Sequence, residues 1–163
     1  MKIDNVTHEN ELLSHLHCHD EHVSAKIFPN LGGSLQELTV NGQKIIDGIS
    51  VDQNGLDDYA NTYKSSVLFP FPNRIEDGKY RFEGKNYQLE VNEIPLKNAI
   101  HGLVYNKEFK IVGADVKNKR ARIELVYEAN SMLPGFPFPF LLKLNYELSS
   151  EGQLKLRFEV SNT

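Results

Sequence analysis

Asn73, Arg74 and His101 are residue types that can do chemistry, and Arg74 and His101 each have a plainer structural reading that the residues alone do not exclude. In VLFPFPNRIEDGKYRFEGKNYQL (residues 67–89) a stiff, apolar, proline-containing run leads straight into Asn73 and Arg74. A guanidinium is a planar fork of five N–H donors that stays charged, so it fits oxygen-rich ligands in a fixed pose. Its plainer use is an ion pair with Glu76 or Asp77 close by. His101 stands alone in NAIHGLVYN, followed by Gly102 and flanked by apolar residues. An imidazole there can exchange protons near neutral pH, or it can be a buried ring bonded to backbone.

A second cluster, HLHCHDEH, holds His15, His17, Cys18, His19, Asp20 and His22. On an extended strand His15, His17 and His19 share one face at spacings of about 6.5–7 Å. Zinc takes convergent ligands in tetrahedral geometry, and three imidazoles in line along one strand do not enclose an ion. The expected role is the wet face of a partly exposed edge strand, with no structural metal. Cys18 is the only cysteine, so no intrachain disulfide can form. Gly32-Gly33 in NLGGSL lacks the G-x-G-x-x-G pattern and reads as a tight turn or bulge rather than a phosphate cradle. LPGFPFPF (residues 133–140) reads as an entry into a strand, not as a polyproline ligand, because an alternating stretch follows at once.

These residues need elements to position them, and the dominant hydrophobic period is two. Asn41-Gly42, Glu83-Gly84-Lys85-Asn86, Lys117-Asn118-Lys119 and Ser150-Glu151-Gly152 each separate two alternating runs, which is a hairpin signature. In the last run Leu154, Leu156, Phe158 and Val160 share one face while Lys155, Arg157 and Glu159 share the other. That predicts a strand with one wet side, as in antiparallel sheets. NGLDDYANTYKSS has no apolar stripe and is read as a loop. The expectation is an all-β fold, an antiparallel β-sandwich, forming a single unit over residues 1–163. The chain stops directly after a strong strand, leaving an edge without a partner, and so reads as unfinished.

The net charge of −4 argues against nucleic acid as a partner. No apolar run approaches the roughly 20 residues of a membrane span. The polar start MKIDNVTHENELLSH has no signal-peptide core. A cytoplasmic location, with no membrane partner, is the expectation.

Four segments, in order, resemble the galactose mutarotase (aldose 1-epimerase) family: LGGSLQELTVNGQKIIDG, SVLFPFPNRIEDGKYRFEGKNYQL, NAIHGLVYNKEFKI and LPGFPFPFLLKLNYELSSEGQLKLRFEVSNT. Asn-Arg after the proline-rich stretch, followed by His-Gly, carries the resemblance. It implies the galactose mutarotase-like supersandwich, a fold of roughly twice this length, with the present chain as its N-terminal half. It implies that Asn73, Arg74 and His101 bind a free hexose whose α and β anomers are interconverted. That reaction needs a base at the C1 hydroxyl and an acid at the ring oxygen, with the roles exchanged on closure, and no metal or redox cofactor. The family's catalytic histidine and glutamate would lie beyond Thr163, so the chain alone is expected to be inactive, with at most an assisting role for His101. The partners implied are a free hexose and either the chain's own C-terminal half or a second copy of the chain. Two alternatives stand beside this: a non-catalytic sugar-binding module, and a hexose-phosphate epimerase-like protein, which would need further cations near the cleft.

Overall fold

The computed structural model describes residues 1–7, 13–130 and 133–163. Two antiparallel sheets face each other across one core. The first is a meander of five strands: β1 (Lys2–Thr7), β2 (Ser14–His19), β3 (Val23–Phe28), β4 (Ser34–Val40) and β5 (Gln43–Asp47). The second is a meander of four strands that comes later in the chain. Between the two sheets run a helix α1 (Gln53–Thr62), a short strand β6 (Arg74–Glu76), a hairpin of β7 (Lys79–Phe82) and β8 (Lys85–Gln88), and β9 (Asn98–Ile100), which pairs with β6. The second sheet then follows as β10 (Lys110–Lys117), β11 (Arg120–Ala129), β12 (Phe140–Ser149) and β13 (Leu154–Asn162).

The all-β antiparallel sandwich expected from the alternation is what forms. All four hairpin turns sit where the sequence puts them. Asn41 and Gly42 have φ of 50° and 76°, Glu83 and Gly84 47° and 78°, and Asn118 and Lys119 51° and 59°; these are the left-handed pairs that two-residue hairpin turns demand. Gly152 (φ 81°) closes the β12–β13 turn. LPGFPFPF does feed β12, which starts at Phe140. Gly32 and Gly33 form a turn between β3 and β4, where a Cβ on Gly32 would collide with the backbone of Tyr105.

Alternation places Leu16, Cys18, Ala25 and Ile27 of the first sheet against Ile123, Leu125, Leu142 and Leu144 of the second, all at most 3% exposed. Burying a large aliphatic side chain in this way contributes about 1.5–3 kcal/mol. The Tyr146 hydroxyl crosses the core to donate to the Gly33 carbonyl at 2.8 Å. Burial lifts its pKa well above the usual phenol value, so it stays a donor.

Three expectations need correction. NGLDDYANTYKSS is not a loop: residues 53–62 are helical. Asp52 caps the helix, its Oδ1 accepting from Gly55 N at 2.9 Å, and Tyr63 ends it in the left-handed region at φ 53°. The helix needs no broad apolar stripe because it buries only Gly55 and Tyr59. Second, β2 is not an edge strand, since β1 pairs outside it, and His15 is buried against Phe28 with ring centroids 5.0 Å apart. Third, β13 has no dry side: Leu156, Phe158 and Val160 are 38%, 52% and 52% exposed. Their cross-strand partners Tyr146, Leu144 and Leu142 are buried, so the first sheet covers β12 but does not reach β13.

Candidate functional site

The three predicted residues meet on the small ribbon between the sheets. β6 and β9 pair with Arg74 opposite Ile100, and one step further the His101 N–H donates to the Asn73 carbonyl at 3.2 Å. Residues 27 positions apart in sequence are thereby side by side. The approach from Val67 to Pro72 is irregular rather than a strand; it contains a cis Phe69-Pro70 bond and is tied down where Leu103 N donates to the Phe69 carbonyl at 2.7 Å. Phe69 itself packs edge-on against Phe140 at 4.9 Å.

His101 sits at φ 64°, a left-handed conformation that only local structure can hold in a non-glycine residue. Gly102 follows at φ 78°, with its α-carbon so close to the Phe69 backbone that any side chain would collide. His101 Nδ1 lies 3.0 Å from the Pro72 carbonyl. A carbonyl only accepts, so Nδ1 carries a proton, and in the neutral ring Nε2 is the acceptor. The ring is half-buried, bonded to backbone as the plainer reading required, yet with its second nitrogen unspent.

Arg74 does not pair with Glu76 or Asp77. Its Nε donates to both carboxylate oxygens of Glu93, at 3.0 and 2.9 Å, and its Nη2 donates to Oε1 at 2.6 Å. The Asn98 amide adds a fourth bond to Glu93 Oε2 at 2.6 Å. The Arg74 bonds first, and the Asn98 bond second, hold the Glu93 carboxyl below its ordinary range. The fork therefore leaves its Nη1 hydrogens outside this pairing while its charge is already balanced.

Sequence reading missed Tyr63, Asn92 and Glu93. Tyr63, the capping residue of α1, sets its ring against His101 at 4.6 Å and against Tyr105 at 4.9 Å. Burial pushes its hydroxyl up to about 12, and that oxygen accepts from Asn92 Nδ2 at 3.2 Å. Asn92 also bonds both backbone groups of Ile100, accepting from its N–H at 2.7 Å and donating to its carbonyl at 3.0 Å, as a neighbouring strand would. The helix is fixed in turn by Tyr59, whose hydroxyl donates to the Tyr105 carbonyl at 2.7 Å. Buried Gln36, skipped in the β3–β4 register, donates to the Lys64 carbonyl at 2.9 Å just beyond the helix. A cavity of about 170 Å³ opens beside the ribbon, with Ala99, Ile100, Gly102, Asn92 and Tyr105 in its wall. Asn73, Arg74 and His101 are not among the residues that line it; Asn73 and Arg74 are exposed and His101 is half-buried.

The family model described as aldose 1-epimerase matches residues 15–163. The uncharacterized protein YihR of Escherichia coli K12 is 27% identical over 156 residues, which is 92% of this chain and 47% of that protein. A galactose mutarotase-like protein from Clostridium acetobutylicum superposes with a TM-score of 0.85 at 29% identity, over 99% of this chain and 49% of its own. A galactose 1-epimerase from Lactobacillus acidophilus shares the fold with a TM-score of 0.76 at 19% identity, over 99% and 48%. The chain spans about half the length of the relatives it matches.

Proposed function

Because the chain belongs to the aldose 1-epimerase family, we propose that it supplies one half of a cleft in which Asn73, Arg74 and His101 hold a free hexose while its anomers interconvert. The observation that carries this reading is the β6–β9 ribbon, which joins Asn73 to His101 by a backbone bond and sets Arg74 next to them. In this reading the Arg74 fork and the Asn73 amide donate to ring hydroxyls, and His101 Nε2 accepts from one. Glu93 balances the charge of Arg74, which suits a neutral polyol better than a phosphorylated sugar, where unbalanced cations are wanted. The base at the C1 hydroxyl and the acid at the ring oxygen come from the other half of the sandwich, so this half alone binds without turning over.

The same reading assigns a partner to β13. Among the described residues its apolar face is uncovered and its outer edge has no strand beside it. We propose that the matching half of a mutarotase-like sandwich pairs there, or a second copy of this chain when that half is absent.

Polarimetry of freshly dissolved α-D-galactose tests the reading. The chain alone should leave the buffer rate unchanged, adding the other half in trans should accelerate it, and sugar should shift the amide resonances of Asn73, Arg74 and His101 in the chain alone. Full activity from the chain alone would place the acid and base within it and make His101 the first residue to replace. A ribbon that responds to no hexose would leave the sugar-binding reading without support.

A further inference from the structure

A second set of convergent donors lies on the outer face of the first sheet, remote in sequence from the ribbon. β1 and β2 pair with Asp4 opposite His17 and Lys2 opposite His19. Ile3 and Cys18, the alternate residues of the same two strands, turn inward to the core, so Asp4, His17 and His19 share the outward face. Asp4 Oδ2 lies 2.7 Å from His19 Nε2. The His17 and His19 rings stack with centroids 4.4 Å apart at 27°. One donor atom from each of the three residues falls within 4.8 Å of the other two.

From this geometry we infer that Asp4, His17 and His19 form a binding site for one late first-row divalent transition metal, Zn2+, Ni2+ or Cu2+. On β2 alone three imidazoles stand in line and cannot enclose an ion. The third ligand is not His15, which is buried against Phe28. It is a carboxylate from the neighbouring strand, and that turns a row into a triangle. Two imidazoles and one carboxylate suit zinc, nickel and copper, whereas calcium and magnesium want oxygen ligands. Three protein ligands leave a coordination position for water or a small exogenous donor.

The surroundings fit the assignment. His17 Nε2 lies 2.9 Å from Ser24 Oγ, which donates to Glu37 Oε1 at 3.2 Å, and that relay orients the His17 ring. Asp4 and His19 are already in contact, and the ion would replace the proton they share. A hollow lined by Met1, Lys2, His19, Asp20 and Glu21 opens beside His19 and gives access from solvent. Six consecutive register pairs already join β1 to β2, so the ion is not needed to hold the strands together. Asp4 precedes the residues that the family model matches, so the site is separate from the sugar-binding reading and stands without it.

The test uses the full chain without an affinity tag, titrated with Zn2+ against a chromophoric chelator and with Cu2+ under electron paramagnetic resonance. One equivalent of either ion should bind with a micromolar dissociation constant, and the copper spectrum should show coupling to two imidazole nitrogens. Asp4→Asn should weaken zinc binding at least about tenfold. His17→Ala and His19→Ala should each remove one nitrogen coupling, and His22→Ala, at an exposed histidine outside the triangle, should change nothing. Circular dichroism establishes that each variant is folded, and Asp4→Asn serves if a histidine variant is not. Absence of stoichiometric binding, binding indifferent to Asp4→Asn, or an equal loss in His22→Ala would overturn the assignment.

Discussion

His101 rests against Tyr63, ring centroids 4.6 Å apart, although one residue follows a strand and the other ends a helix. Through this contact α1 supports the ribbon that carries Asn73 and Arg74. Replacing Tyr63 by Ala should cost roughly 1–3 kcal/mol in urea denaturation. It should also broaden the His101 ring resonances, because one wall of the imidazole is gone. Tyr63→Phe keeps that wall and removes only the hydroxyl, with its bonds to Asn92 and Tyr105, so its His101 resonances should stay sharp.

Gly102→Ala should be more damaging than a methyl group suggests. The residue has φ 78° and its Cβ would meet the Phe69 backbone. A loss of more than about 2 kcal/mol is expected from strain and displacement together, read as a lower urea midpoint with an unchanged m-value. The same substitution at Gly84, also left-handed but with open space around it, carries strain without collision and should cost less.

The Arg74–Glu93 clasp should survive into acid. Glu93 is held below its ordinary value of 4.5, so its folded pKa is depressed relative to the unfolded chain. Its contribution is fully present above the unfolded value and fades only as pH falls through the lower, folded one. A carbon-detected NMR titration should put the Glu93 midpoint below 4.5. Arg74→Ala should move it upward, and Glu93→Gln should leave the Arg74 fork free to reorient.

Alkali should weaken the fold in a defined window. Burial raises the Cys18 thiol from 9.0 to about 12 and the Tyr59 phenol from 10.0 to about 12. Below pH 9 both groups are protonated in either state; above it the unfolded chain ionises first, so stability falls as pH climbs towards 12. Urea midpoints measured from pH 8 to 11 should decline. The Cys18 thiol should resist a thiol reagent in the native protein and react promptly in urea.

Phe158→Lys should reduce self-association in analytical ultracentrifugation if the uncovered face of β13 is an interface. The substitution lies at a position already 52% exposed, so thermal stability should change little.

The sheets were legible because alternation and left-handed turn pairs are local signals. Asn41-Gly42 and Asn118-Lys119 announce their hairpins within four residues. What escaped is what depends on distance. Helix α1 buries one glycine and one tyrosine, a face too narrow to register as a stripe, and its visible marker was the cap at Asp52. β1 carries only Ile3 and Val6 as apolar residues, too few for an alternating pattern to stand out, and Asp4 went unseen with it. Glu93 lies 19 positions from Arg74 and faces it only because β6 and β9 pair, so the nearer Glu76 and Asp77 were the natural candidates. The Asp77-Gly78 pair, left-handed at both residues, was a readable turn that would have bounded β6.

Each sheet is built from consecutive strands, and every residue of the ribbon site lies on the connection between them, residues 48–109. That connection is pinned to the core by Val67, Val104 and Phe109 and otherwise takes no part in either sheet's pairing. The two meanders thus act as a chassis and the connection as an interchangeable fitting. Insertions or substitutions between the pins need not re-pair either of the two large sheets, so the surface of this connection can vary while the chassis keeps its registers.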